Sequence, residues 1–219
     1  MSHFEAVAWL AVICIAAYLI GSINIAIIVS RLKGDDIRKH GSGNAGMTNM
    51  LRTYGVVPAV ITAVGDFAKA VLAVYLARFF GGMIDVPWDI GYIAGVAGYL
   101  AGVFVILGHM FPVYFKFKGG KGAMSTLGVV LSVNPIVFLL IVASTLPLIL
   151  ITRVISIASI TGAILFTTLT CTWAFIYTDF PWFYCICAVV IGCMILVMHR
   201  ENIVRLYHGQ ENGFGNKKQ

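Results

Sequence analysis

AMSTLGVVLSVNPIVFLLIVASTLPLILI, residues 123–151, is too long for one membrane helix and too short for two full ones. A spanning helix takes about 20 apolar residues. Asn134-Pro135 interrupts this stretch and Pro147 does so again. Proline removes a backbone donor and pushes the residue before it out of helical geometry. The stretch therefore reads as a short helix over about 122–133 and a second over about 136–151. With the apolar stretches at about 4–30, 56–80, 90–114, 155–177 and 181–198, it makes seven membrane segments.

Charge supports that count. With the N-terminus outside, the inner loops carry Arg31, Lys33, Arg38, Lys39, Arg52, Lys116, Lys118, Lys121, Arg153, Arg200, Arg205, Lys217 and Lys218. The outer side carries Glu5, Asp85, Asp89 and Asp179, with Arg78 the one cation nearby. Cytoplasmic loops are the ones enriched in Lys and Arg. An undivided 123–151 would carry Arg153 and the last polar segment to the wrong side. The expectation is an all-α polytopic membrane protein with three polar clusters on its cytoplasmic face.

Composition agrees. The chain has 219 residues, 60% hydrophobic and 11% charged, against about 25% charged in soluble domains. Its mean hydropathy is +0.94. No polar stretch is long enough to form a soluble domain. Met1–Ile20 lacks a basic leader and a small-residue cleavage site, so it reads as the first span. The net charge of +6 suits anionic head groups and the inner membrane face better than nucleic acid. Cys14, Cys171, Cys185, Cys187 and Cys193 sit in apolar segments without zinc-ligand spacing and read as small hydrophobic fillers. Gly91, Gly95, Gly98 and Gly102 recur on related positions of the third span, as residues that permit close helix packing do.

The polar residues concentrate in three clusters at span boundaries. The first is Gly41-Ser42-Gly43-Asn44-Ala45-Gly46-Met47-Thr48-Asn49. Its glycines spell G-x-G-x-x-G, but that motif works after a β-strand, and here a membrane helix precedes it. What remains is local physics: glycine-rich backbone can turn several N–H groups toward one anion. Ser42 and Thr48 add hydroxyls, Asn44 and Asn49 add amides, and Arg52 offers a fork suited to phosphate oxygens. A plain turn would need fewer hydrogen-bonding residues.

The second cluster is Lys118-Gly119-Gly120-Lys121-Gly122. It is not a Walker A loop, since Gly122 follows Lys121 where Ser or Thr is required and Phe115 stands where Gly is required. Lys116, Lys118 and Lys121 close one span, and Ser125 and Thr126 start the next. An ordinary basic anchor is the alternative, but anchors need no glycine backbone freedom. The third cluster is His199-Arg200-Glu201-Asn202-Ile203, where His199 and Asn202 share a helix face and Arg205 follows one turn on. A structurally satisfied interfacial histidine is the alternative. Asp66 and Lys69, three apart in the second span, read as an ion pair facing the bundle. Arg153 with Ser156 is either a phosphate contact or an anchor. Asp35 and Asp36 are adjacent, so their side chains would diverge on a helix, and no metal site is expected.

These clusters resemble the three cytoplasmic motifs of the bacterial acyl-phosphate-dependent glycerol-3-phosphate acyltransferases, the PlsY family. The matching segments are Ser42–Arg52, Lys118–Gly122 and His199–Leu206 with Gly209 and Glu211. Gly108-His109-Met110-Phe111-Pro112-Val113-Tyr114 and Tyr18-Leu19-Ile20-Gly21-Ser22 also look familial. Ala45 stands where the family favours a larger aliphatic residue, and Met47 where it favours a small one. The resemblance implies a seven-helix enzyme that moves a fatty acyl group from acyl phosphate to the 1-hydroxyl of glycerol 3-phosphate, giving lysophosphatidic acid. It implies one domain over 1–211 with a polar tail at 212–219, in the bacterial inner membrane among lipids. It implies no cofactor, no metal and no nucleic acid, with the donor made by a separate soluble synthase. His199, Asn202 and Ser42 are the expected catalytic residues. Gly43, Asn44, Gly46, Thr48, Asn49, Arg52, Lys118, Gly119, Gly120, Lys121, Gly122, Arg153, Ser156 and Glu211 are expected to bind substrate.

The histidine-four-residues-aspartate pair of the soluble-type glycerolipid acyltransferases is absent, and no Ser-His-Asp arrangement is legible. A transporter for a phosphorylated solute is the rival reading. It would place polar residues along the spans, where only Asp66 and Lys69 penetrate deeply.

Overall fold

The computed structural model describes residues 2–84 and 90–213, so Asp85, Asp89, Lys217 and Lys218 lie outside the described residues. Helix is the regular structure of the described residues. The helices are α1 (His3–Gly21), α2 (Ile25–Leu32), α3 (Met47–Tyr54), α4 (Val56–Gly81), α5 (Ile90–Met110), α6 (Ala123–Val133), α7 (Pro135–Thr152), α8 (Ile155–Tyr177), α9 (Pro181–Met198) and α10 (Arg200–Tyr207). The chain divides into two compact units, Met1–Asn134 and Pro135–Gln219.

The division falls where the sequence breaks the long apolar stretch. Asn134 adopts an extended conformation (φ −153°, ψ 94°) and ends α6. Pro135 opens α7, the helix position at which a missing N–H costs least. The second expected break does not occur: α7 runs through Pro147. Proline's own φ is helical, and bundles in lipid tolerate the one carbonyl it leaves unbonded. The first span also differs from expectation. Residues 3–32 are apolar enough to be read as one span, but α1 stops at Gly21 and α2 restarts after Asn24. The Asn24 side chain caps the new helix by accepting from the Ile27 N–H at 3.1 Å.

Among the described residues six stretches are long and apolar enough to cross a membrane: residues 3–32 and 92–115, α4, α7, α8 and α9. The eleven residues of α6 reach about 17 Å at 1.5 Å per residue, roughly half of a 30 Å hydrocarbon core. The seventh segment is therefore a short apolar helix.

In the first unit α4 is central and packs on α1, α2, α3, α5 and α6. Glycines make the closest approaches. A Cβ on Gly21 or Gly108 would collide with the backbone of the other helix in the α1–α5 pair, and one on Gly128 of α6 would strike the Phe67 carbonyl of α4. Gly98 and Gly102 do pack closely, against Arg78 and Val129. Arg78 Nη1 donates to the Ser132 carbonyl at 2.8 Å, in the last turn of α6, where carbonyls lack helical partners.

In the second unit α8 packs on α7 and on α9. Thr167 Oγ1 donates across the α8–α9 seam to the Ala188 carbonyl at 3.2 Å, against the spot where Gly192 presents no side chain. The chain then leaves the apolar bundle as the polar helix α10.

This packing separates two glycines of the same chemistry. Gly128→Ala forces a backbone shift and should destabilise by about 1–3 kcal/mol. A Cβ at Gly162 of α8 meets its nearest atoms at 3.6 and 3.7 Å, ordinary contact. Gly162→Ala should be neutral or add up to about 1 kcal/mol through helix propensity. Thermal unfolding of the two variants in detergent checks the contrast.

Candidate active site

The first polar cluster is folded around one side chain. Asn49, 1% exposed, donates from Nδ2 to the carbonyls of Ile37 (3.2 Å), His40 (2.9 Å) and Asn44 (3.1 Å). Its Oδ1 accepts from the Ser42 N–H at 3.2 Å. The amide expected to face a substrate thus faces inward and sets the shape of the loop. Gly41 and Gly43 take left-handed φ values of 55° and 69° to wrap it. Ser42, Gly43 and Arg52 are exposed, while Asn44, Gly46 and Thr48 are half-buried. Beneath them Ala45 is fully buried with Ile27, Ile37, Met50 and Phe115. The loop ends at Gly46, which starts α3 without a side-chain cap.

The loop's flank holds two carboxylates that diverge as expected, though no helix carries them. Asp35 accepts from the Tyr54 hydroxyl at 2.7 Å and pairs with His40 Nε2 at 2.8 Å. The Tyr54 hydroxyl bond, then His40, holds the Asp35 carboxyl down to about 2. Burial and this carboxylate push the Tyr54 phenol up to about 12. Asp36 pairs with Arg38 Nη2 at 2.7 Å, and that bond holds its carboxyl at about 2.

Arg38 also reaches the second cluster. Its Nη1 donates to the carbonyls of Phe115 at 2.9 Å and Lys118 at 3.3 Å. These bracket Lys116 and Phe117, both at φ 58°. Each left-handed non-glycine residue costs about 1–3 kcal/mol, so the turn is one that its surroundings impose. The Gly119 and Gly120 N–H groups donate to the carbonyls of Met110 and His109, each at 3.1 Å. The N–H groups of these two glycines, which were expected to bind substrate, are committed to the end of α5. Lys118 is exposed and Lys121 half-buried. Gly122 (φ 84°) then starts α6, again without a side-chain cap.

Behind this loop lies a buried charged cluster. Lys69 Nζ stands 2.8 Å from Asp66 Oδ1, 3.1 Å from His109 Nδ1 and 2.7 Å from the Ile23 carbonyl, to which it donates. Asp66 and His109 are 2% and 3% exposed. The expected Asp66–Lys69 pair is present, and His109 is the member that helix spacing did not reveal. It lies forty residues further on, at the end of α5, inside a segment that the resemblance had marked.

The second unit gathers the rest around Glu211, whose side chain is 8% exposed. Glu211 Oε1 accepts from Asn202 Nδ2 at 2.6 Å and from the Ser156 hydroxyl at 2.8 Å. Its Oε2 accepts from Arg205 Nε at 2.6 Å. Burial raises the Glu211 carboxyl, but these three bonds outweigh it and hold the group below its ordinary value. His199 is buried, with Nδ1 2.8 Å from the Ile195 carbonyl of α9. A carbonyl only accepts, so Nδ1 carries the proton and Nε2 is the acceptor nitrogen of the neutral ring. Arg153 is exposed at φ 57°, just past the end of α7. Its expected neighbour Ser156 bonds Glu211.

The structure thus assembles Ser42 to Arg52 with Lys118 to Gly122 in the first unit, and Ser156, Asn202, Arg205 and Glu211 in the second. Sequence reasoning missed Arg38, Asn24 and His109 as the residues that hold the loops. Among the described residues no group of three or more His, Cys, Asp or Glu could hold a metal ion.

The family model described as glycerol-3-phosphate acyltransferase matches residues 11–209. A glycerol-3-phosphate acyltransferase of Clostridioides difficile (strain 630) is 36% identical over 95% of this chain and 97% of its own length. One from Methylobacillus flagellatus is 39% identical over 94% and 98%. The crystal structure of PlsY, an integral membrane glycerol 3-phosphate acyltransferase, in its glycerol 3-phosphate form superposes with a TM-score of 0.80 at 37% identity, covering 94% of this chain and 96% of that one. Its lysophosphatidic acid form gives 0.76 at 36% identity. With a family match that takes in Ser42–Arg52, Lys118–Gly122 and His199–Leu206, and relatives of this similarity along nearly its whole length, the chain belongs to the PlsY family of glycerol-3-phosphate acyltransferases.

Proposed function

We propose that this chain transfers a fatty acyl group from acyl phosphate to the 1-hydroxyl of glycerol 3-phosphate, releasing lysophosphatidic acid and inorganic phosphate. One observation carries the reading. Both glycine loops lead into helix N-termini, at Gly46 and Gly122, that no side chain caps, and cationic side chains stand close in sequence to each. Such termini attract phosphate through first-turn N–H groups and the helix dipole. Two phosphate-bearing substrates require two such places. The relatives' names supply glycerol 3-phosphate, and the lysophosphatidic acid form of PlsY supports the product.

An acyl phosphate is an activated mixed anhydride, so the reaction needs orientation and charge stabilisation more than a covalent nucleophile. The hydroxyl oxygen bonds to the acyl carbon, and the bond from that carbon to the phosphate oxygen breaks. The hydroxyl proton ends on the departing phosphate. The equation balances without cofactor or metal. Arg52, Lys121 and Arg153 clamp phosphate oxygens, with Lys118 adding charge. Gly43, Asn44, Gly46, Thr48 and Gly122 line the two loops, and Gly119, Gly120 and Asn49 fix their shape. His199 Nε2 accepts the hydrogen bond of the 1-hydroxyl and aims its lone pair, and Ser42 offers its hydroxyl to substrate from the first loop. Asn202, oriented by Glu211 and through it by Ser156 and Arg205, holds the oxygen on which charge develops. Residues 1–211 act as one acyltransferase domain in the bacterial inner membrane. The loops face the cytoplasm, where a separate soluble synthase supplies the donor.

Arg52→Ala should raise the glycerol 3-phosphate KM by about 10- to 150-fold, the equivalent of roughly 1.5–3 kcal/mol for a charge-assisted bond; unchanged kinetics for both substrates would remove it from the site. With acyl phosphate, acyl-CoA and acyl carrier protein compared as donors, only acyl phosphate should support rapid transfer, and chelator should leave the rate unchanged. His199→Ala should lower kcat by about 100-fold or more with little change in donor KM. An acidic limb in kcat that disappears in His199→Gln would make the ring a general base instead of an orienting acceptor. Glu211 has a depressed carboxyl, so its stabilising bonds are complete above the ordinary carboxylate pKa and are lost as pH falls through the lower folded value. Thermal stability of the wild type should therefore decline below about pH 4.5, and Glu211→Gln should flatten that decline while lowering kcat.

A further inference from the structure

The buried Asp66–Lys69–His109 cluster has no part in the steps above, and charged groups within a membrane span are costly enough to require a use. Its contacts lead to both anion-binding loops. Lys69 Nζ holds the carbonyl of Ile23, in the break between α1 and α2. The next residue, Asn24, is fully buried and donates from Nδ2 to the Ala45 carbonyl in the first loop at 3.4 Å. His109 accepts the Gly120 N–H of the second loop on its backbone carbonyl. The Asp66 carbonyl also accepts from Ser125, in the first turn of α6, at 3.2 Å. The two loops meet at this point: a Cβ on Gly120 would strike His109 Nε2 and lie 2.6 Å from the Ala45 carbonyl. Lys69 Nζ has three polar neighbours: Asp66 Oδ1 at 2.8 Å in an ion pair, the Ile23 carbonyl at 2.7 Å and His109 Nδ1 at 3.1 Å.

We propose that Lys69, with Asp66 and His109, positions the Gly41–Asn49 loop against the Lys118–Gly122 loop, so that the spacing of their two phosphate-binding places is set from inside the membrane span. The cluster touches no substrate; its members are positioning residues. The inference rests on the phosphate-binding reading of those loops. Any change in the cluster moves Gly120 and Ala45 relative to each other, and with them Lys121 and the N-termini of α3 and α6. Misplacement of a binding group by about 1 Å costs up to roughly 100-fold.

The test compares wild type, His109→Leu, His109→Asn and Asn24→Ser in detergent. His109→Leu removes the ring nitrogen that stands 3.1 Å from Lys69 Nζ and 3.4 Å from Asp66 Oδ1, and His109→Asn keeps a polar group at that place. Asn24→Ser keeps an N-cap for α2 but withdraws the reach to Ala45. Two readouts are taken: KM and kcat for glycerol 3-phosphate and acyl phosphate, and the rise in unfolding temperature that glycerol 3-phosphate or inorganic phosphate produces. His109→Leu and Asn24→Ser should raise KM about 10- to 100-fold and shrink the phosphate-induced rise; the ligand-free unfolding temperature should stay near wild type in Asn24→Ser and fall in His109→Leu, which removes a polar neighbour of a buried ammonium. His109→Asn should recover part of the loss. Wild-type KM and a wild-type phosphate-induced rise in folded His109→Leu and Asn24→Ser would overturn the proposal. So would lowered ligand-free unfolding temperatures with KM unchanged, which mark a purely structural cluster. If His109→Leu does not fold, Asn24→Ser decides alone. Should the wild type bind phosphate but transfer no acyl group, the phosphate-induced rise still tests positioning while the acyltransfer reading falls. Without phosphate binding in the wild type, both fall.

Discussion

An ammonium group buried in an apolar helical bundle is costly unless an anion and hydrogen-bonding groups surround it. Lys69 finds its polar neighbours in three parts of the chain: its own helix, the interruption after α1 and the end of α5. That requirement accounts for features that look unrelated. The carbonyl released where α1 stops at Gly21 needs a donor, and Lys69 is that donor. The charge of Lys69 needs an anion, and Asp66 one turn earlier provides it. Removing either partner would leave the other as a buried, uncompensated charge, at roughly 3–5 kcal/mol. The close α1–α5 contact through Gly21 and Gly108 brings these groups within reach.

The loops built on this base are held by committed groups more than by loose glycines. Asn49 closes the first around its own amide, and Arg38 brackets the left-handed Lys116–Phe117 turn of the second. Glycine matters at two places for opposite reasons. Gly43 supplies a left-handed backbone, whereas Gly120 supplies the absence of a side chain between His109 and Ala45. The helix starts that follow the loops, at Gly46 and Gly122, have no side-chain cap. Ala45 lies in a filled core and not at an exposed face.

The second unit solves a different problem, the orientation of two small polar side chains at the end of an apolar helix. The His199 ring is fixed by the carbonyl of Ile195 four residues back, so no carboxylate is required to set its tautomer. The carboxylate that is present, Glu211, is used on Asn202, Ser156 and Arg205. Ser156 and Asn202 therefore answer to one acid, and a residue beyond α10 controls a side chain within it.

The sequence by itself determined the helical class, the division of 123–151 at Asn134-Pro135 and the location of the three polar clusters. Apolar length, proline and glycine are local properties and act through the chain's own backbone. It also disclosed Asp66 with Lys69, since three residues along a helix is one turn. It misread Pro147 as a break and residues 22–24 as continuous helix, because both depend on what surrounds the backbone: proline's φ is helical, and an interrupted helix survives only where Lys69 takes up the freed carbonyl. Tertiary structure alone decided that His109 completes the charged cluster, that Asn49 and the Gly119–Gly120 amides face inward, and that Glu211 orients Asn202. Each of these pairs residues distant in sequence or across a loop, where only the packing of the helices brings donor and acceptor within 3.5 Å.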